Sequence, residues 1–312
     1  MDAEKGLIFD IQSHSIHDGP GSRTTLFMSG CHLSCQWCAN PESWQPQEKM
    51  LFSEMRCVAS QGCTRCVKSC ASQAITVEDG KLMLDHTLCQ TCRTLTCTSA
   101  CPPQALKRCG HDYSADALLQ RLQHDRDFWG DDGGVTFSGG DPFVQHRFLE
   151  NMAHRCREAG IHTAIETTAC VREDLFLNAM QFIDFAFIDV KHLDTDVHRQ
   201  YTGVDNTLIL SNIRALIQSD WPGRLILRVP VIAGINDTDD NMQAMAAFME
   251  SADVYEVNLL PFHRLGASKW QQLGKAYPAQ HWQPPTDARL AEIEQFFTQK
   301  QLACYIGSDT PF

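Results

Sequence analysis

The sequence has no run of five basic residues, and its 26 Lys and Arg are outnumbered by 38 Asp and Glu, giving a formal net charge of −12. Nucleic acid and anionic membranes are held by the opposite balance, so neither is expected as a partner. The sequence also lacks an apolar stretch long enough to span a bilayer. Its N-terminal Met-Asp-Ala-Glu-Lys-Gly-Leu-Ile-Phe-Asp is charged and carries no hydrophobic signal segment. A cytoplasmic protein is expected. What abounds is cysteine, with fifteen in 312 residues. Thiols stay reduced in that compartment, so metal binding or catalysis fits better than disulfides.

Eleven of the fifteen fall between positions 31 and 101, in three spaced groups. Cys109, Cys156, Cys170 and Cys304 are scattered singles, read as small buried apolar residues. The first group, Cys31-His-Leu-Ser-Cys35-Gln-Trp-Cys38, follows the strand-like run Thr24-Thr-Leu-Phe-Met-Ser-Gly30. Its spacing lets three thiolates fold around one face of a cubane iron–sulfur cluster and leaves one iron without a protein ligand. Structural zinc and cluster sites normally close with four ligands, and an open position is where metal centres do chemistry. A zinc knuckle is the competing structural reading. The other groups are Cys57-x5-Cys63-x2-Cys66-x3-Cys70 and Cys89-x2-Cys92-x4-Cys97-x3-Cys101-Pro102. Between them, Asp79-Gly80 predicts a short hairpin.

From Cys109 onward strand-like and helix-like segments alternate. Apolar runs begin at Gly134, His162, Phe185, Arg224 and Val254, which with Thr24–Ser29 makes six strands. Phe148, Met152, Cys156 and Ala159 share a helical face before Gly160. Ile209, Ile213, Leu216 and Ile217 make a second stripe, and Met242, Met245, Ala246 and Met249 a third. A last helix is predicted from about Asp287 to Gln301. Such alternation predicts a parallel sheet covered on both faces, with ligands gathered at the C-terminal strand ends. Unusual polar groups fall there, in Ser138-Gly-Gly-Asp-Pro142, Glu166-Thr-Thr168 and Asp189-Val-Lys191, and at Arg228 and His263. Paired glycines let a backbone approach a ligand, a carboxylate accepts from an amino group, and a lysine balances a carboxylate.

Asp18-Gly-Pro-Gly-Ser-Arg-Thr24 before the first cysteine group and Cys38-Ala-Asn-Pro-Glu-Ser43 after it resemble the activating enzymes of glycyl radical enzymes. These belong to the radical S-adenosylmethionine (SAM) enzymes. The likeness continues through Gly133–Gly140, Asp184–His192, Asn258–Gly266 and Ala303–Gly307, nearly the whole chain. It implies an α/β fold: a partial (β/α)6 radical SAM barrel with an inserted two-cluster ferredoxin-like domain. Residues 1–50 would begin the barrel, 51–110 form the insert and 111–312 complete the barrel.

The resemblance further implies that Cys31, Cys35 and Cys38 hold a catalytic, SAM-binding 4Fe–4S cluster. It puts Trp37, Cys38, Ala39, Gly139, Gly140, Asp141, Glu166, Asp189, Val190, Lys191, Arg228 and His263 around SAM, and Asp18–Gly21 at the peptide entrance. In two-cluster ferredoxins the fourth cysteine of each run serves the other cluster. Carried over, one 4Fe–4S cluster takes Cys57, Cys63, Cys66 and Cys101, and the other takes Cys70, Cys89, Cys92 and Cys97, for three clusters in all. An electron from a low-potential donor such as flavodoxin or ferredoxin, relayed by the insert, would cleave SAM to methionine and a 5′-deoxyadenosyl radical. That radical would take hydrogen from a glycine of a partner glycyl radical enzyme. The insert and the ending Asp309-Thr-Pro-Phe312 most resemble the activases of 4-hydroxyphenylacetate decarboxylase. Activases of other glycyl radical lyases and decarboxylases share most motifs, and a ferredoxin-like electron carrier without SAM chemistry is the alternative from another class.

Overall fold

In the computed structural model, which describes residues 4–312, nine strands join one sheet. Residues 1–3, the start of the expected first segment, lie outside the described residues. In chain order the strands are β1 (Lys5–Ser15), β2 (Arg23–Met28), β3 (Lys49–Phe52), β4 (Ile75–Glu78), β5 (Lys81–Leu84), β6 (Leu106–Cys109) and β7 (His111–Ser114). They continue as β8 (Gly134–Gly139), β9 (His162–Thr167), β10 (Phe185–Asp189), β11 (Arg224–Val231), β12 (Glu256–Pro261) and β13 (Ala303–Ile306). The large sheet runs β13-β12-β11-β10-β9-β8-β2-β1-β7. Its strands from β13 to β2 pair in parallel, and β1 pairs antiparallel with both β2 and β7. The six expected strands are all present. β1, rich in polar residues, and the four-residue β13 join them at the edges.

Side chains alternate across a strand, and the two faces differ. One face buries Leu26, Phe137, Ile165, Ile188, Leu227 and Leu259 against the helices His146–Glu158, Thr207–Gln218, Asp239–Ser251 and Asp287–Gln299 in a continuous core. The methionine and isoleucine stripes belong to that core. The expected cover of helices on both faces is corrected. The opposite face carries Arg23, Thr136, Glu166, Arg228 and Asn258 beside a small apolar patch of Ala164, Phe185, Phe187 and Ile226. Charges at alternate positions cannot pack beneath an apolar helix without partners.

Between β2 and β8, residues 49–109 form a small separate layer. β3 pairs with β6, and β4 with β5 around Asp79 (φ 49°) and Gly80 (φ 74°). Its apolar cluster is Met50, Cys66, Ile75, Leu95, Cys97 and Leu106.

Candidate cluster and cofactor site

The cysteine loop leaves β2 through Gly30 (φ +108°), where a Cβ would stand 2.4 Å from the Val144 side chain. Backbone bonds from several elements hold it: Cys31 N donates to Trp44 O (3.2 Å), Ser34 N to Thr202 O (2.7 Å) and Gln36 N to Tyr201 O (3.0 Å). Trp270 Nε1 donates to Cys38 O at 2.9 Å. Gly266 presses so closely that a Cβ there would lie 2.8 Å from Ala39 Cα.

At the C-terminal strand ends this loop borders a cavity of about 170 Å³, lined by Cys31, Cys35, Cys38, Trp37, Ala39, Gly139, Gly140, Asp189 and Lys191, among others. Lys191 Nζ donates to Asp189 Oδ2 at 2.8 Å. Burial works against the Lys191 charge, but Asp189, in contact with it, outweighs that and holds its pKa above the ordinary lysine value. Burial also pushes the Cys35 thiol up to about 12, and the Cys31 and Cys38 thiols upward. Such thiols ionise only against a strongly cationic partner, which suits a metal cluster. Among the described residues no three His, Cys, Asp or Glu converge closely enough for one metal ion. The three cysteines line one wall of the cavity.

Other expected residues take different places. Asp141, expected to meet an amino group, is wholly buried. Its Oδ1 accepts from Phe143 N (3.1 Å) and Thr167 Oγ1 (2.9 Å), and its Oδ2 from Thr168 N (3.0 Å) and the Thr168 hydroxyl. Its carboxylate fastens the Gly-Gly turn to the end of β9. The glycines let two strand ends meet, since a Cβ on Gly140 would lie 2.2 Å from Gly30 O. Glu166 and Arg228 form an ion pair on the polar face. Ser138 Oγ donates to Glu166 (2.6 Å), and the guanidinium lies 3.5 Å from the Phe187 ring centroid. Burial raises the Glu166 pKa although Arg228 opposes it. Val190 is buried in the sheet, and its N–H donates to Arg228 O at 2.9 Å. His263 is exposed, and its Nδ1 accepts from Leu265 N at 3.3 Å. None of these five lines the cavity.

In the insert, one cavity is lined by Cys57, Cys63, Cys66 and Cys101, and another by Cys70, Cys89, Cys92 and Cys97. The sequence reading missed the aromatic support of the loop. Trp37, Trp44, Trp270 and Trp282, four of the chain's six tryptophans, gather there with Tyr277. Their concentration in the segments 37–44 and 270–282 was the available signal. Arg23 was also missed. Wholly buried, it donates to Thr136 Oγ1 (2.8 Å), Val135 O (2.8 Å) and Pro20 O (2.6 Å), fixing the Asp18–Gly21 turn on the polar face. Desolvation lowers its pKa to about 10.

Comparison with known proteins gives this geometry a context. Residues 88–248 match the radical SAM superfamily, and residues 17–59 match a 4Fe–4S single cluster domain. The 4-hydroxyphenylacetate decarboxylase activating enzyme of Clostridium scatologenes is 48% identical over 310 residues, covering 99% of each chain. The indoleacetate decarboxylase activating enzyme of Tractidigestivibacter scatoligenes is 38% identical over 311 residues, covering 97% of this chain and 98% of that one. A radical SAM methyltransferase from Sphaerobacter thermophilus shares the fold at 13% identity with a TM-score of 0.52, over 91% of this chain and 66% of its own. Matched along almost its whole length by relatives of this kind, the chain belongs to the radical SAM superfamily and, within it, to the family of activating enzymes.

Proposed function

We propose that this enzyme installs a glycyl radical on a partner decarboxylase, and that the partner is a 4-hydroxyphenylacetate decarboxylase. The carrying observation is the strand-end cavity in which Cys31, Cys35 and Cys38 share a wall with Gly139, Gly140, Asp189 and Lys191. Relatives 48% identical over 99% of the chain are named for that decarboxylase, which supports the choice of partner. The two cysteine quartets, each around its own cavity, support two further 4Fe–4S clusters in an inserted domain, residues 51–110, between barrel segments 1–50 and 111–312. The parallel strands and their polar inner face support a partial (β/α)6 barrel with β13 added at its edge.

When bound, the cluster and SAM supply a one-electron cleavage of the sulfonium S–C5′ bond and a primary carbon radical able to take hydrogen from a glycine α-carbon. The chain's own residues bind and orient. Cys31, Cys35 and Cys38 would hold three irons and leave the fourth for the amine and carboxylate of SAM. Lys191, kept cationic beside Asp189, would balance that carboxylate, and Trp37 and Ala39 would close an apolar side. Glu166, Val190, Arg228 and His263 would act from behind this wall, and Asp141 by fixing the glycines. Tyr201 and Trp282, packed on Trp37, screen the loop from water.

Among the described residues no helix is long and apolar enough to cross a membrane. A cytoplasmic site of action and a flavodoxin- or ferredoxin-type electron donor belong to the same proposal, because such clusters need reduced thiols and a low-potential supply.

Protein loaded with iron and sulfide without oxygen, then reduced and given SAM, is expected to release 5′-deoxyadenosine. Mixed with a 4-hydroxyphenylacetate decarboxylase, it is expected to raise a glycyl radical signal in electron paramagnetic resonance (EPR). Absence of 5′-deoxyadenosine overturns the chemistry. A radical raised only on another glycyl radical enzyme overturns the partner.

A further inference from the structure

A further cavity of about 110 Å³ lies where the insert meets the cysteine loop. The insert side contributes Met50, His86 and Cys89, and the loop side contributes Trp44 and Lys275. Met50 and Cys89 also line the cavity of the Cys70, Cys89, Cys92 and Cys97 quartet. The Cys57 quartet's cavity shares no residue with this one. On the loop side Trp44 is in direct touch with the first cysteine group. Its carbonyl accepts from Cys31 N at 3.2 Å, and Trp270, against which its ring packs, donates from Nε1 to Cys38 O at 2.9 Å. The ring stands edge-on to Trp270 with centroids 5.0 Å apart, and Lys275 Nζ lies 5.0 Å from its centroid. Two packed aromatic side chains, Trp44 and Trp270, therefore span from a cavity rimmed by Cys89 to the Cys38 carbonyl of the loop.

We propose that Trp44 is the bridge by which an electron passes from the Cys70–Cys89–Cys92–Cys97 site to the Cys31–Cys35–Cys38 site, with the Cys57–Cys63–Cys66–Cys101 site farther out, on the donor side. The inference rests on the three-cluster reading above and adds its order and its connecting residue. A packed π system carries an electron better than open space. Lys275, a cation on the same cavity, favours the arriving negative charge. One electron moves: a reduced low-potential ferredoxin loses it, the loop cluster gains it, and no bond or proton changes place.

The test mixes oxidised, SAM-bound holoenzyme with reduced ferredoxin and freezes samples over time for EPR. The loop cluster is recognised as the one whose signal changes with SAM. In Trp44→Leu its signal is expected to appear about tenfold more slowly, while the insert signals appear at the wild-type rate. In Trp44→Phe, which keeps a ring in place, the loop-cluster signal is expected to appear at close to the wild-type rate. Wild-type arrival in fully loaded Trp44→Leu overturns the bridge. If that variant fails to load iron, Trp44→Met takes its place, and wild-type arrival in it overturns the bridge instead. A wild-type enzyme without any SAM-dependent signal sinks the underlying reading, independently of Trp44.

Discussion

The sheet and the insert reach order by different means. The sheet buries Phe137, Met152, Ile213, Leu227 and Phe297 completely within one continuous apolar core that joins its strands to the long helices. The insert has only Met50, Ile75, Leu95 and Leu106 besides two cysteines at its centre. Its helices Arg65–Ser69, His86–Thr91 and Thr96–Ser99 are far too short to persist alone. A unit of this size draws only about 3–5 kcal/mol from its core and usually needs a staple. Burial pushes the Cys89 and Cys97 thiols up to about 11, so without metal they stay protonated and cross-link nothing. On the three-cluster proposal cysteine plays two parts: in the sheet region it rides on a frame already built, and in the insert it would build the frame.

Iron removal should break this symmetry most visibly. Anaerobic chelation is expected to raise amide exchange across residues 49–109 by orders of magnitude, while Gly134–Thr167 keeps its protection. Equal loss in both regions would erase the contrast. A smaller effect comes from packing. Gly140→Ala places a Cβ against the Gly30 carbonyl, a backbone atom that cannot turn aside. A cost of about 3 kcal/mol is expected, read as a lower Tm of the holoenzyme. The insert supplies the control: Gly62 has nothing within 4 Å of its Cβ but a φ of +84°, so Gly62→Ala should cost only about 1–2 kcal/mol. Smaller than the Gly140 effect is that of Lys269→Met. It strands the buried Glu42 carboxylate, whose Oε2 already has no partner, and frees Asn40 Oδ1. Because Lys269 is 37% exposed, the loss is expected near about 2 kcal/mol, below the range for a fully buried pair. The denaturant midpoint measures it.

The same contrast explains what could be read from the sequence. The six central strands were legible because each is a short apolar run between turn residues, and Asp79-Gly80 announced its hairpin without help from elsewhere. The cysteine groups were legible because ligand spacing is local. Asp141 was not, since its four partners come from Phe143, Thr167 and Thr168, and only the fold brings β9 beside the Gly-Gly turn. Likewise nothing near Arg228 in the chain announces that it pairs with Glu166, 62 positions away. The single-face cover of the sheet was hidden too. Strand runs such as 185–188 read as wholly apolar, although one side faces helices and the other faces Arg228. Trp270 needed the folded chain to find Cys38.

The smallest effect tests how firmly the sheet region grips the loop. His198 sits in the helix Thr195–Thr202, whose last carbonyls hold Ser34 and Gln36. Its Nδ1 lies 2.7 Å from Val204 O, and since a carbonyl only accepts, the proton is on Nδ1. Nε2 is then an unprotonated nitrogen buried without a partner. Burial lowers the His198 pKa below the ordinary histidine value. A depressed folded-state pKa favours the neutral ring, so its stability is present above the unfolded pKa and lost as pH falls through the folded one. Holoenzyme unfolding midpoints should therefore drop between pH 7.5 and 6, a span of about 1.5 units across the unperturbed histidine pKa of about 6.5. His198→Asn should make that slope shallower, because the amide can still donate toward Val204 but cannot gain a proton. An unchanged slope would mean that acid acts elsewhere, with His162 and His192, also lowered by burial, the next groups to replace.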